Sequence, residues 1–198
     1  IYRNLRFWQN VGVVGIVVTG ILIGSANAER LYDSAAFIVK MLALISGIIL
    51  TYGASRPVAA AEGQVSTASK LWFALGSAIF LLGIYVFLVS DLINVGVYHI
   101  ITAAALIVLF ATPGRLRWIY LGVLIAMIAA QFVHTHILIK PDDYDHLNPV
   151  NKTWTAVFSA WIGAVAIFQL FRAGRGETGG PLTKIIAYAT ILVWVMGA

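Results

Sequence analysis

"LWFALGSAIFLLGIYVFLVS", residues 71–90, decides the fold. The run carries no charged residue, and its side-chain polar atoms are limited to Trp72, Ser77, Tyr85 and Ser90. Twenty helical residues rise about 30 Å, the thickness of a bilayer's hydrocarbon core. Lipid offers no partner to a backbone N–H or C=O, so a segment there must pair its own backbone groups, which an α-helix does. Apolar residues follow one another without the two-residue alternation of a barrel strand. The run therefore reads as a membrane-crossing helix.

Working outward, six more apolar segments share this character, at about 11–28, 35–54, 92–112, 117–139, 154–172 and 183–198. The breaks between them are chemically explicit. Ser55-Arg56-Pro57 closes the second segment and a Gly/Ser/Thr stretch runs on to Lys70. Thr112-Pro113-Gly114 forms a tight turn, Pro141 halts the fifth segment just before it, and Gly174 to Pro181 is a glycine-rich loop. The expected fold is all-α: one polytopic integral membrane bundle of six to seven transmembrane helices over residues 1–198. Arg3 and Arg6, an apolar stretch and Ala26-Asn27-Ala28 also resemble a signal peptide, but the segment reads as a retained membrane helix. The chain starts without Met and stops inside an apolar run, ILVWVMGA, which points to a piece of a longer protein.

Composition supports lipid as solvent. The chain is 61% hydrophobic and 11% charged, with a mean hydropathy of +0.91, whereas soluble domains carry about 25% charged residues. Absence of cysteine removes disulfides, thiolate metal sites and cysteine nucleophiles. With alternating helices, Arg3, Arg6, Arg56, Lys70, Arg115, Arg117, Arg172, Arg175 and Lys184 share one side with Glu62 and Glu177, net +7. Arg30, Lys40, Lys140 and Lys152 share the other with Glu29, Asp33, Asp91, Asp142, Asp143 and Asp145, net −2, completing the +5 of the chain. The positive-inside rule makes the first side cytoplasmic. The loops with Arg56, Arg115, Arg117, Arg172 and Arg175 are then cytoplasmic, and loop 140–153 periplasmic or extracellular. Lipid and other membrane subunits are the expected partners, and no nucleic acid is. Trp8, Trp72, Trp118 and Trp154 fall at segment ends, as interfacial aromatics do.

All four histidines fall toward the outer side: His99, His134, His136 and His146. His99 lies roughly 10 Å into the fourth helix and His134 roughly 8 Å from the end of the fifth. The two helices are consecutive and antiparallel, so two imidazoles at similar depth are candidates for one site. An ionisable group in the membrane is a functional hypothesis by default. The pair suits axial ligation of haem, a copper or zinc ion with Asp91 or a loop acid, or proton transfer. Small residues, Gly122, Ala126 and Ala130 beside His134 and Gly96 and Ala103 beside His99, either make room for a macrocycle or let helices approach. His134 and His136 are two apart and point to opposite sides of a helix, so joint ligation is not expected. His136, His146, Asp142, Asp143 and Asp145 have a sufficient explanation as a hydrated acidic loop with its flank. Lys40 and Asp91 are candidates for an ion pair, the alternative being lysine snorkelling. Gly20 and Gly24 form a small-xxx-small face for close helix packing, and Asn151-Lys152-Thr153 matches a glycosylation sequon set hard against the sixth helix. The chain contains no Walker, dinucleotide-glycine, HExxH or GxSxG motif, which leaves ATP-driven and hydrolytic functions without support. Bound lipid is expected.

VVTGILIGSANAERLYDSAAFIVKMLALISGIILTYGASRP, residues 17–57, resembles the bacterial copper-resistance D type and related uncharacterised multi-pass proteins, through Thr19-Gly20 and Phe37-x-x-Lys40. That resemblance implies a bacterial inner-membrane protein handling copper at its outer face. INVGVYHIITAAALIVLF, residues 93–110, looks like a helix of heptahelical membrane acyltransferases through Gly96-Val97-x-His99. Those proteins carry an Asp-x-x-Arg-Gly signature in their first helix, where this chain reads FWQNVGVVG. The leading expectation is a component of a membrane redox or metal-handling system with an outward-facing His/Asp site for haem, copper or a proton. The alternatives are a structural accessory subunit without a cofactor and an acyltransferase-like protein.

Overall fold

The computed structural model describes residues 2–32, 34–90, 95–139, 144–172 and 179–197, with side chains over 6–31, 34–90, 101–139, 148–172 and 179–195. Among these residues the fold is helical. In chain order the helices are α1 (Tyr2–Ala26), α2 (Ala28–Tyr32), α3 (Ala35–Ile49), α4 (Arg56–Ala60), α5 (Thr67–Val89), α6 (Val95–Ala111), α7 (Arg115–Val133), α8 (Tyr144–Arg172) and α9 (Pro181–Gly197). A first π-helical turn, Leu50–Ser55, joins α3 to α4, and a second, His134–Leu138, extends α7. Five helical stretches are long and apolar enough to cross a membrane: Arg6–Ala26, Ala35–Ala60, Thr67–Val89, Arg115–Leu138 and Asn148–Arg172. Ile101–Ala111 and Pro181–Val195 are shorter apolar helices.

Local chemistry explains several boundaries. Ser34 and Ser66 have extended backbones and accept the N–H of Phe37 and Ser69, capping α3 and α5. Gly114 opens α7 at φ +65°, a conformation that glycine adopts without a Cβ penalty. Two helices start earlier than hydropathy indicates. α1 begins at Tyr2 rather than near residue 11, because YRNLRFWQN is polar but helical. α8 begins at Tyr144 rather than near 154, so the expected loop over 140–153 is helical from 144 and holds Pro149 inside the helix. Polar opening turns are invisible to a hydropathy reading, which sees only the lipid-matched part of a helix.

Two apolar clusters hold the bundle. Leu50, Phe73, Leu182, Ile185, Ile186 and Val193 join the first π-turn to α5 and α9. Ile101, Ala105, Leu124 and Phe158 join α6, α7 and α8, with Phe87, Met127 and Trp154 against them. The closest crossing is α3 on α5. A Cβ at Gly76 would lie 2.7 Å from Leu50, and the buried Ser46 hydroxyl donates to the Gly76 carbonyl at 2.7 Å. Such hydrogen bonds and small residues are what bring helices together when lipid weakens the hydrophobic drive. Large apolar side chains cover the outside: Phe171, Leu138, Trp118, Leu71 and Val195 are all at least two-thirds exposed. Such a surface is consistent with a membrane protein, since soluble monomers rarely expose contiguous apolar patches of this extent.

α1 stands apart. None of its apolar window is buried, and polar bonds near its start pin it to the first π-turn and α4. The Gln9 carbonyl oxygen accepts from Nε and Nη2 of Arg56 at 3.1 and 3.0 Å, and the Asn10 Oδ1 accepts from the Tyr52 hydroxyl at 2.8 Å. The Arg56 guanidinium lies over the Tyr52 ring at 4.4 Å.

Candidate functional site at the His134 end

Polar residues on a helix otherwise solvated by lipid gather where other helices shield them. α8 carries Asn151, Thr155 and Ser159 at four-residue spacing, α7 carries Gln131 in its last turn, the second π-turn adds Thr135, and α6 contributes Thr102. The fold brings Thr102, Gln131 and Thr155 together. They line a crevice of about 450 Å³ between α6, α7 and α8 whose remaining walls are Ile101, Ala105, Leu106, Leu124, Ile128 and Phe158. Thr155 is 1% exposed and its hydroxyl donates to the Asn151 carbonyl.

His134 lies one turn beyond Gln131, half-buried at the start of the second π-turn. Trp154, beside Thr155, donates its indole N–H to His134 Nδ1 at 3.4 Å, with the rings edge to face at 6.4 Å. An indole N–H can only donate. His134 Nδ1 therefore presents its lone pair, and the neutral imidazole carries its proton on Nε2.

His136 has a different partner. The Thr135 hydroxyl lies 2.8 Å from the Gln131 carbonyl and 2.7 Å from His136 Nδ1. The carbonyl can only accept, so the hydroxyl donates to it whenever His136 Nδ1 carries a proton. The ring stacks on Phe132 at 4.6 Å and 15°, and the side chain is exposed. The two histidines thus have separate partners.

The other candidates are placed as follows. His99 lies on α6, one turn before Thr102, with its side chain outside the described residues. Asp145 and His146 lie on the opening turns of α8, also without described side chains. Asp91, Asp142 and Asp143 fall outside the described residues, and with Asp91 the expected Lys40–Asp91 pair does too. Lys40 is exposed on α3, on the wall of a different crevice facing α1. Within the chain Gly20 makes no close packing: a Cβ there would meet nothing within 4 Å, and one at Gly24 would meet only Phe37, at 3.9 Å, which leaves packing on a partner as the other expectation from this spacing. Among the described residues no three His, Asp or Glu side chains gather as a metal-holding group.

Sequence reasoning did not single out Trp154 as a histidine partner, or Thr102, Gln131 and Thr155 as crevice residues. The signal was available in the Asn151–Thr155–Ser159 stripe, because a polar row on one face of a membrane helix marks the face turned inward.

Comparison with known proteins gives one family match: residues 3–90 fit a family of unknown function, DUF6644. No curated protein and no solved structure gives a significant match to the chain.

Proposed function

We propose that the chain is a six- to seven-helix protein of a bacterial inner membrane and a component of a membrane redox system, with its working site in the α6/α7/α8 crevice at the outer end. The site takes an apolar, carbonyl-bearing carrier of the quinone class. One observation carries this reading: an otherwise apolar crevice is lined by Thr102, Gln131 and Thr155, and His134, one turn beyond Gln131, takes a hydrogen bond from Trp154, the neighbour of Thr155. Apolar walls with a few placed polar groups are what a small-molecule site requires. Thr102, Gln131 and Thr155 orient the head group, and His134, held by Trp154, supplies the Nε2–H to a carbonyl oxygen. His99 occupies the neighbouring turn of α6 and is the second candidate for the opposite carbonyl.

The hydrogen bond from Trp154 also ranks the haem, copper and proton readings. A metal at His134 Nε2 needs the lone pair there and the proton on Nδ1, facing another donor. Axial haem or copper ligation by His134 therefore requires that the Trp154 contact be broken first, whereas hydrogen-bond donation to an oxygen does not. The test is extraction of neutral lipids from the protein purified in mild detergent. The reading expects a quinone near one per chain, retained at least tenfold less by His134→Ala. Equal retention by wild type and variant would remove it.

The reading as an accessory subunit of a larger membrane complex is favoured by α1. Its free side carries Gly12 and Gly15, where an added Cβ meets nothing within 4 Å, a surface suited to another subunit's helix. Isolation of the native assembly as a monomer would argue against it.

A further inference from the structure

A cavity of about 100 Å³ lies among α5, α6, α8 and α9, with Leu50 of the first π-turn in its wall. It shares Ile101 with the Thr102/Gln131/Thr155 crevice, but its other α6 walls are Ala104, Ile107 and Val108, on a different face of that helix. Ser77 of α5 and Ser159 of α8 are the polar side chains among the described residues that line it, and the rest of the lining is apolar. We infer that this cavity binds one small neutral molecule, an aliphatic body with a single hydroxyl or carbonyl oxygen held by Ser159.

Ser159 carries the argument. A serine or threonine inside a helix can turn its hydroxyl to the carbonyl four residues back. The buried Thr112, Thr155 and Thr190 all do so, at 2.8, 2.8 and 2.7 Å. Ser159 does not: its Oγ is buried and has no hydrogen-bond partner among the described residues. Buried polar atoms without a partner are uncommon in folded proteins. An oxygen left open on an apolar cavity gives that cavity one point of recognition, and the walls hold the apolar body.

Size and polarity choose the occupant. One turn of helix, 5.4 Å long and 10–12 Å across, fills roughly 400–600 Å³, so no helix enters. Water fills the space poorly. About 100 Å³ corresponds to about three molecules of the liquid, each taking about three hydrogen bonds, and two serine hydroxyls do not supply them. An acyl chain suits the walls but brings no oxygen to Ser159. A dry apolar cavity of about 150 Å³ holds benzene, so one of about 100 Å³ holds about four or five heavy atoms. Access is short. Leu81 lines the cavity and is 40% exposed, and a Cβ added at Gly163 would meet only the Leu81 Cδ1, at 4.0 Å. The wall between α5 and α8 is one side chain thick at that level.

The test titrates n-butanol, butanone and n-pentane, which have equal numbers of heavy atoms, into the full chain in lipid nanodiscs with ¹³C-labelled isoleucine methyl groups. The expected result is saturable shifts at Ile84, Ile101 and Ile162, which line the cavity, and none that saturate at Ile119 and Ile125, exposed on α7. The better of the two oxygen-bearing molecules should bind at least fivefold tighter than pentane, the scale of one net hydrogen bond. Ser159→Ala should bring all three within twofold of one another while binding persists. Gly163→Leu, which fills the cavity from α8, should abolish the saturable shifts. Should Gly163→Leu not fold, Gly163→Ala adds one methyl to the same wall and should weaken binding at least twofold. Pentane binding as tightly as the other two in the wild type would mark an apolar gap filled by acyl chains and would overturn the inference. So would shifts that do not saturate, a preference that survives Ser159→Ala, or water-to-methyl cross-peaks at Ile84 and Ile162 that none of the three molecules displaces.

Discussion

The two π-helical turns share an irregular backbone and little else. In the first, Leu50, Thr51 and Ala54 are at most 1% exposed. Gly53 faces Trp72 so closely that a Cβ would lie 2.5 Å from its Cγ, and Thr51 accepts from Trp194. In the second, Thr135 is buried, His134 half-buried, and Ile137 and Leu138 are 66% and 71% exposed. A π-turn widens the helix and shifts side chains around its axis. Where neighbours surround it, the shift serves packing; where they leave one side open, it presents polar side chains. Widened turns are frequent at functional sites, but burial decides which of these two is chemical.

Substitutions sharpen this contrast, the largest effects falling on the buried turn. Gly53→Ala drives a methyl into Cβ and Cγ of Trp72, atoms too near the backbone to move aside, and should cost about 3 kcal/mol, the upper part of the usual range for overpacking. Unfolding in detergent, followed by tryptophan fluorescence, measures it. A loss under 1 kcal/mol would mean that the first turn is not a tight joint. Trp154→Phe keeps a ring beside Phe158 but removes the donor to His134. Quinone retention should fall about tenfold, near 1.4 kcal/mol, and His134 should gain affinity for Cu²⁺ or Zn²⁺ in titration calorimetry. An unchanged carrier and unchanged metal affinity would show that Trp154 does not set the state of His134.

Smaller effects follow. Thr51→Val leaves the Trp194 N–H without its partner and should cost about 0.6 kcal/mol, the average for such bonds in membranes, read in the same unfolding assay. Arg56→Gln should change stability by less than about 1 kcal/mol yet release α1. Spin labels at Ile21→Cys and Ile191→Cys, both exposed sites, should then give a broadened distance distribution. His136→Ala should alter stability by no more than about 0.5 kcal/mol, whereas Thr135→Val should shift the His136 tautomer, visible in ¹⁵N resonances of labelled histidine. A loss above 1 kcal/mol for His136→Ala would place this ring in the packing rather than at the surface.

Much of this was legible in the sequence. The apolar stretches fall on helices in the expected order among the described residues, and five helical stretches are long and apolar enough to cross a membrane; hydropathy reports these directly. Helix starts were less legible. YRNLRFWQN and YDHLNPVNK are polar turns beyond the apolar stretches, and Pro149 reads as a breaker although it lies close to the start of α8. The histidine arrangement was legible only in part. Two-residue spacing puts His134 and His136 on different sides of a helix. It does not reveal that Trp154, twenty residues away, takes His134 Nδ1, or that Thr135 engages His136 Nδ1. Those contacts depend on the rotation of α8 against α7, which no local pattern encodes. The Gly20/Gly24 spacing suggested close packing, but packing needs a partner at the right distance, and within the chain none lies within 4 Å of a Cβ at Gly20.

The most direct measurement is joint optical, elemental and neutral-lipid analysis of the purified native assembly. The account predicts a quinone near one per chain that is lost with His134→Ala. A Soret band, or copper, iron or zinc near one per chain, that disappears with the same substitution would contradict it.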